Sequence, residues 1–392
     1  MKTIAVLCDV AAEFGGAERY WATVLPQLAQ RSVVRLFARR VEGTYALGLP
    51  AQQIDWAEEN QPTSSTTRER IADAIRGADT VVTANVLDAE VLETVRDSRA
   101  RWIARVHDHR PFCPNGNKVY PQFSAPCTNA IGGVCYANTL LRGCVRGPHR
   151  SSFELIRQRL RVRDAVAHAD AVLVSSGYMR DVCIQNGLSE GRIHITPPPL
   201  GEAFFAPAVE PRSAAVLYAG RIEEEKGLLS LVRAVATIAE AARPSIAVAG
   251  RGSESYEHAV REAARHAHVH VQWLGFLDQP HLVQAIDEAR VFALPSLWPE
   301  PFGLGATQAL ARSRPVVAYN VGGVGDWIAD PHFSVPRGDE RALGSVIEIL
   351  CNDAHAWQRA SAQSREIAER YRLSGHIDRL LSLLDIKVGS QE

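Results

Sequence analysis

What this chain lacks narrows its class before any motif is considered. No uninterrupted apolar run approaches the roughly 20 residues of a membrane-spanning helix, which excludes a helical membrane protein. Formal net charge is −1, so there is no overall electrostatic case for a nucleic-acid or membrane partner. Seven cysteines are an odd number for a disulfide framework. No internal repeat beyond a two-fold similarity of pattern, and no low-complexity stretch, interrupts the chain. The first glycine loop, Glu13-Phe14-Gly15-Gly16-Ala17-Glu18-Arg19, lacks the G-x-G-x-x-G spacing of a dinucleotide fingerprint.

What remains is ordinary globular material, 46% hydrophobic and 22% charged, and 392 residues imply at least two domains. The N-terminus, Met1 to Asp9, runs straight into Glu13 and the glycine loop, which reads as a first core strand rather than a signal peptide. A cytoplasmic enzyme is the expectation. Short Val/Ile/Ala/Leu runs alternate with longer helical patterns, the signature of parallel sheets covered on both faces. The first set of strands falls at Thr3–Asp9, Val33–Ala38, Thr80–Ala84, Trp102–Val106, Ala171–Ser175 and Arg192–Thr196. Pro197-Pro198-Pro199 forbids both ladder and helix, so Pro197–Pro211 reads as a linker. A second set follows at Ala214–Ala219, Ser245–Ala249, Val269–Trp273, Val291–Leu294 and Pro315–Tyr319, with helices such as Leu228–Ala241 and Asp339–Leu350. The fold class is therefore α/β, two doubly wound domains that take ligands at the carboxyl ends of their strands, where the domains face each other across a cleft.

Five constellations carry chemistry. The Gly15-Gly16 loop allows close backbone approach to a ligand, and the helix after it offers free N–H donors; a plain βα turn reads equally well. Gly220-Arg221-Ile222-Glu223-Glu224-Glu225-Lys226-Gly227 presents two cations at a helix start, against the macrodipole. A bound diphosphate accounts for them without a metal, and pairing with Glu223, Glu224 or Glu225 is the alternative. Gly250-Arg251-Gly252 and Leu274-Gly275-Phe276 follow two further strands. The stretch Pro295 to Leu310 carries Glu300 in a proline-punctuated loop, then Phe302-Gly303-Leu304 at a helix start and Gln308 within the helix. Lastly, Arg105-Val106-His107-Asp108-His109 closes a strand of the first half; a solvated or structural role serves as well there.

The stretch around Glu300 resembles the "E-x7-E" signature of retaining nucleotide-sugar glycosyltransferases of the glycosyltransferase 4 family, which have the GT-B fold. Gly220 to Gly227 likewise matches the family's "G-R-x-x-x-x-K-G". The resemblance implies that Arg221 and Lys226 bind the donor diphosphate, that Glu300 binds donor-sugar hydroxyls, and that His107 faces the donor sugar. Gly15, Gly16, Gly220, Gly250, Arg251, Phe276, Phe302, Gly303 and Leu304 then border the donor or its nucleotide. Gln308 replaces the glutamate that holds the ribose in relatives and loses charge-assisted hydrogen bonds. Asp326 stands where relatives often place a glutamate. The implied organisation is an acceptor-binding domain over 1–198, a nucleotide-sugar domain over 199–373, and a C-terminal helix over 374–392 that crosses back to the first domain.

The implied activity is transfer of a sugar, with retention, from a UDP- or GDP-type donor to an acceptor hydroxyl, with no cofactor required for catalysis. The alternatives are a catalytically weak binding subunit of the same fold and a GT-B nucleotide-sugar 2-epimerase. The acceptor stays open among a polysaccharide intermediate, a lipid-linked sugar and a small natural product. So does monomer against homodimer; peripheral membrane contact is compatible with the sequence. Cys8, Cys183 and Cys351 sit in apolar patterns and read as buried thiols. Cys113, Cys127, Cys135 and Cys144 crowd one insert over 110–150, read as a cover for the acceptor site. They read either as ligands of a structural zinc or as free or redox-labile thiols, their spacing lacking tight C-x2-C hairpins.

Overall fold

A computed structural model describes residues 1–12, 16–42, 47–57, 63–123, 125–145, 147–207, 209–213, 215–328 and 333–386. The chain separates into two compact units: Met1–Pro199 together with the C-terminal segment from Leu373, and Leu200–Arg372. Each is built on one parallel sheet.

The first sheet contains β1 (Thr3–Ala11), β2 (Val33–Val41), β3 (Ala51–Gln53), β4 (Thr80–Ala84), β5 (Arg101–Val106), β6 (Ala171–Val174) and β7 (Ile193–Ile195), in the order β3-β2-β1-β4-β5-β6-β7. Ile4, Val6 and Cys8 of β1 enter one core cluster, Ala5 and Leu7 the other. Because both faces are covered, the strand reads as a continuous apolar run rather than an alternating one. The second sheet contains β8 (Val216–Ala219), β9 (Ile246–Ala249), β10 (Val271–Gly275), β11 (Val291–Leu294), β12 (Val316–Tyr319) and β13 (Ser334–Val335), ordered β10-β9-β8-β11-β12-β13. All pairings within both sheets are parallel.

Departures from the sequence pattern have local causes. The strand expected at Val269–Trp273 begins two residues later. His268 takes a left-handed conformation (φ 53°) and Val269 N–H returns to Ala264 C=O, so Val269 caps the preceding helix Glu254–His266. The helix expected over Leu228–Ala241 stops at Ala236, where the Thr237 hydroxyl donates to Ala234 C=O (2.7 Å). β3 and β13 are three and two residues long, too short for a periodicity to register.

The helix Leu373–Leu383 belongs to the first unit. Ile377, Leu380 and Leu381 share a core cluster with Val24, Leu25 and Leu28 of the helix Gly16–Ala29 and with Ile4 and Val6. A buried hydrogen bond joins these helices, Tyr20 Oη to His376 Nε2 at 3.1 Å. Burial, then the Arg105 guanidinium, push the His376 imidazolium down to about 3. The folded ring is therefore neutral, while the unfolded one titrates near its ordinary value of about 6.5. Stability from this residue is complete above that value and falls as pH drops below it, because unfolding takes up a proton. Between about pH 6 and 4, the wild-type unfolding free energy should fall more steeply than that of His376→Phe, by about 1.4 kcal/mol per pH unit. Parallel slopes in urea titrations across that range would refute a buried neutral imidazole.

Candidate active site

In Leu200–Arg372 the strand order reverses between β8 and β11, and open α/β sheets hold ligands at the carboxyl ends of strands flanking such a reversal. The loops leaving these two strands carry Arg221 and Lys226 on one side and Glu300 on the other. They are in van der Waals contact. Gly227 has φ 71°, and a Cβ there would lie 1.9 Å from the Pro295 carbonyl oxygen, so a side chain would force the loops apart. The N–H groups of Leu297 and Trp298 both donate to Glu225 C=O, at 2.8 and 3.3 Å.

This stapling brings Lys226 Nζ to 2.7 Å from Glu300 Oε1. The same ammonium lies 4.5 Å from the centroid of the Trp298 ring, a cation–π contact. Ser296 Oγ donates to Glu300 Oε1 at 2.5 Å. The Glu300 backbone is held too: Gly323 N–H donates to its carbonyl at 2.6 Å, and Gly322 (φ 68°) forms a parallel bridge with it where a Cβ would meet Glu300 at 2.4 Å. Burial alone would raise the Glu300 carboxyl. The Lys226 charge and hydrogen bonds from Lys226, Ser296 and Trp298 outweigh it and leave the group below its ordinary value. The pair is therefore ionised and largely dry, with 16% and 6% of the two side chains exposed.

Arg221 differs. Its guanidinium is 59% exposed and pairs with Glu225 Oε1 at 3.0 Å, the pairing named above as the alternative to a diphosphate. An exposed pair of this spacing is worth roughly 0.3–0.5 kcal/mol, so it holds the guanidinium only weakly. Tyr218 Oη donates to Arg221 C=O at 2.5 Å and fixes the loop beneath it. The neighbouring loops are knitted by backbone bonds, Gly220 N–H to Ala249 C=O at 3.0 Å and Gly250 N–H to Gly275 C=O at 2.8 Å. Arg251 lies over the Phe276 ring, 5.1 Å from its centroid, so these two also come together.

Gly303 (φ 91°) caps the helix Leu304–Ala311. Phe302 sends its ring into the core, edge-on to Tyr371 at 5.3 Å, and its carbonyl accepts from Trp327 Nε1 at 2.5 Å. Gln308 is buried in that helix. Asp326 is exposed.

In the first unit, His107 follows β5. Its ring stands edge-on to Tyr20 and Trp21, at 5.2 and 6.2 Å. Burial first, then Arg105 and Arg110, hold it well below its ordinary value, so the imidazole is neutral. Its Nε2 meets no hydrogen-bond partner among the described residues. Arg105 lies beneath, wholly buried, 4.4 Å from the Tyr20 ring centroid and donating to Thr196 C=O at 2.8 Å. Asp108 is engaged by Arg110 of its own loop at 2.9 Å. Gly16 opens the helix Gly16–Ala29, while Gly15 lies outside the described residues.

The zinc reading of the insert is not supported. Among the described residues no three His, Cys, Asp or Glu side chains are arranged to hold a metal ion. Cys113, Cys127, Cys135 and Cys144 are free thiols. Cys113 Sγ instead accepts from Lys118 N–H at 3.4 Å, and Cys127 Sγ from Asn129 Nδ2 at 3.8 Å. Burial and then the neighbouring cysteines raise the Cys144 thiol to about 11.

Two participants were missed from sequence, Ser296 and Trp298. The signal was present as S-x-W-P-E, a hydroxyl and a ring within four residues of the carboxylate, but only the fold shows them converging on it. Comparison with known proteins decides the family of this region. The family model "Glycosyl transferases group 1" matches residues 202–368. This stretch is a glycosyltransferase group 1 domain.

The domain's relatives include the glycogen synthase of Mycobacterium tuberculosis, 31% identical over 170 residues, 42% of this chain and 39% of that protein. The phosphatidyl-myo-inositol mannosyltransferase of Mycobacterium leprae is 29% identical over 160 residues, 40% of this chain and 42% of that one. The chain thus spans about two-fifths of each of these relatives' length. Among solved structures, Anabaena HepE in complex with UDP superposes with a TM-score of 0.74 at 17% identity, over 98% of this chain and all of that one. Sucrose-phosphate synthase from Thermosynechococcus elongatus gives 0.68 at 19% identity, over 98% of each chain. The two Rossmann-like sheets are those of the GT-B fold.

Replacing Glu300 by glutamine leaves the Lys226 ammonium without its counter-charge in a largely dry site. Glu300→Gln should lower the stability of the group 1 domain by about 2 kcal/mol at neutral pH. Since the folded carboxyl titrates below its unfolded value near 4.5, this stabilisation is present above that value and lost as pH falls through the folded one. Urea unfolding at pH 7 and in strong acid checks this; an equal deficit at both would refute an ionised pair.

Proposed function

We propose that the protein is a retaining glycosyltransferase that moves a sugar from a nucleoside-diphosphate donor to an acceptor hydroxyl. The observation that carries this reading is the Lys226–Glu300 pair, 2.7 Å apart at the strand-order reversal of a glycosyltransferase group 1 domain. A cation and a carboxylate held side by side suit the two halves of one donor. Lys226, with Arg221, neutralises the charge growing on the departing diphosphate, and Glu300 accepts hydrogen bonds from the sugar hydroxyls. Without ligand the two satisfy each other. The N–H groups at Gly303 and Leu304 open a helix and add to phosphate binding. No side chain here is an evident covalent nucleophile, which favours front-face attack with the departing phosphate oxygen assisting deprotonation of the acceptor. The neutral His107 suits a hydrogen-bonding rather than an ion-pairing role toward the sugar. HepE and its UDP-glucose complex support a UDP-type donor, and a GDP-type donor is the competing choice.

Incubation with UDP-, GDP- and dTDP-sugars, read as released nucleotide, tests the reading. Lys226→Ala and Glu300→Ala should each lower turnover by a factor of about 10²–10³ with the fold intact by circular dichroism. Near-normal turnover in either would overturn the assignment.

One observation keeps a binding-only subunit in view: Gln308, in place of a glutamate, is buried in the helix Leu304–Ala311. A carboxylate there is desolvated until a ribose hydroxyl meets it. Gln308→Glu should therefore lower the melting temperature of the free protein and raise nucleotide affinity about tenfold, the value of one charge-assisted bond. Differential scanning fluorimetry with and without UDP or GDP reads both effects. No nucleotide shift in wild type and a clear one in the variant would favour the binding-only alternative.

A further inference from the structure

The first sheet has its own strand-order reversal, between β1 and β4. Around it lies a recess of about 250 Å³, with Asp9, Arg39, Asp88, Glu90 and Arg161 in its wall. Open α/β sheets take ligands at the carboxyl ends of strands flanking such a reversal. At roughly 30 Å³ per water the space holds about eight waters, short of the 300–1,000 Å³ of sites for drug-sized ligands. It fits one ring-sized group.

Charge is matched inside this recess. Arg39 Nε donates to Asp9 Oδ1 at 2.6 Å, joining β2 to β1. Arg161, on the helix His149–Val166, donates to Glu90 at 2.6 Å and to Glu93 at 3.0 Å. Asp88 caps the helix Ala89–Asp97, accepting Val91 N–H at 2.9 Å and the Thr63 hydroxyl at 2.5 Å. The positive end of that helix offsets its charge. The pairs are open enough to be reached: 19% and 27% of the Arg39 and Asp9 side chains are exposed, and 42% and 15% of Arg161 and Glu90. A guanidinium has five N–H donors and a carboxylate about four acceptor positions, so one ion pair exhausts neither member.

We infer that this recess binds one uncharged sugar ring of the acceptor, a saccharide with no phosphate, carboxylate or amine on that ring. Its being the acceptor rests on the transfer reading above. A phosphate entering here has to take Arg39 from Asp9 or Arg161 from Glu90, and leaves a carboxylate facing an anion. An ammonium has to part the same pairs from the other side. An apolar ligand would strip water from five charged groups and return no hydrogen bonds. A ring hydroxyl both donates and accepts, so it joins the carboxylate and the guanidinium of one pair without separating them.

The test uses the full chain without nucleotide, read by saturation-transfer NMR. The probes are the methyl glycosides of glucose, mannose, galactose and N-acetylglucosamine. At least one should bind, and the 6-phosphate and the 2-amino-2-deoxy form of the same sugar should bind about tenfold more weakly or worse. Asp9→Asn and Glu90→Gln keep the shape and remove the charge; each should weaken binding about tenfold, the value of one charge-assisted bond. Glu257→Gln, in a pair with Arg261 on the other unit, should leave it unchanged. Binding of none of the glycosides, or of the phosphate as well as the neutral sugar, overturns the proposal. So does wild-type binding in both charge-removing variants. The ligand comparison needs wild type alone, so it decides even where a variant fails to fold. A separate donor assay tells the two readings apart. A UDP-, GDP- or dTDP-sugar cleaved with no glycoside bound removes this site alone, whereas a glycoside bound with no donor cleaved removes the transfer reading and keeps a sugar site.

Discussion

The contact of Lys226 with Glu300 rests on the steric condition that two loops from non-consecutive strands touch through backbone. Gly227 against Pro295 and Gly322 against Glu300 are approaches that leave no room for a Cβ. Once the loops are in register, Glu225 C=O collects two N–H donors, Ser296 reaches the carboxylate, and Trp298 lies against the ammonium. The ion pair is a consequence of that fit and stabilises it only modestly, because drying two charges offsets much of their attraction. In the function proposed above its value lies in readiness: each partner is already ionised, oriented and largely free of bulk water, so little reorganisation would be needed for a phosphate and a sugar to replace one partner by another.

Much of this was legible in the residues. Buried parallel strands read as short apolar runs, so β4 and β11 were placed to the residue, and the other long strands to within a few. The loops that bring Lys226 and Glu300 together stood out for a related reason: glycine, proline, lysine and glutamate at strand-to-helix junctions have few structural uses in common. Edge elements such as β3 and β13 carry no period and were missed. Val269 was misread because its N–H serves the end of a helix rather than a ladder, and only the left-handed His268 reveals that.

The insert was the hardest part to read, for a physical reason. Four cysteines in one segment carry the same letters whether they hold a metal or pack as thiols. Only the placement of the side chains separates the two: no three potential ligands among the described residues are arranged around an ion, and Cys113 and Cys127 accept N–H donors instead. Aromatic placement was equally hidden: Tyr20, Arg105, His107 and His376 come from four separate stretches and meet in a buried cluster that keeps both imidazoles neutral.

The return of the last helix to the first unit has a consequence for synthesis. Ile377, Leu380, Leu381, Leu384 and Ile386 complete a core that otherwise consists of residues from the first half of the chain. The unit begun at Met1 therefore stays unfinished on the ribosome while the whole of Leu200–Arg372 is made. At about 5–20 residues per second that interval is roughly 10–40 s. The domain in the middle of the chain has all its own residues first and can close before the one at the beginning. Until then Val24, Leu25 and Leu28 lack the apolar partners that the last helix gives them in the native core.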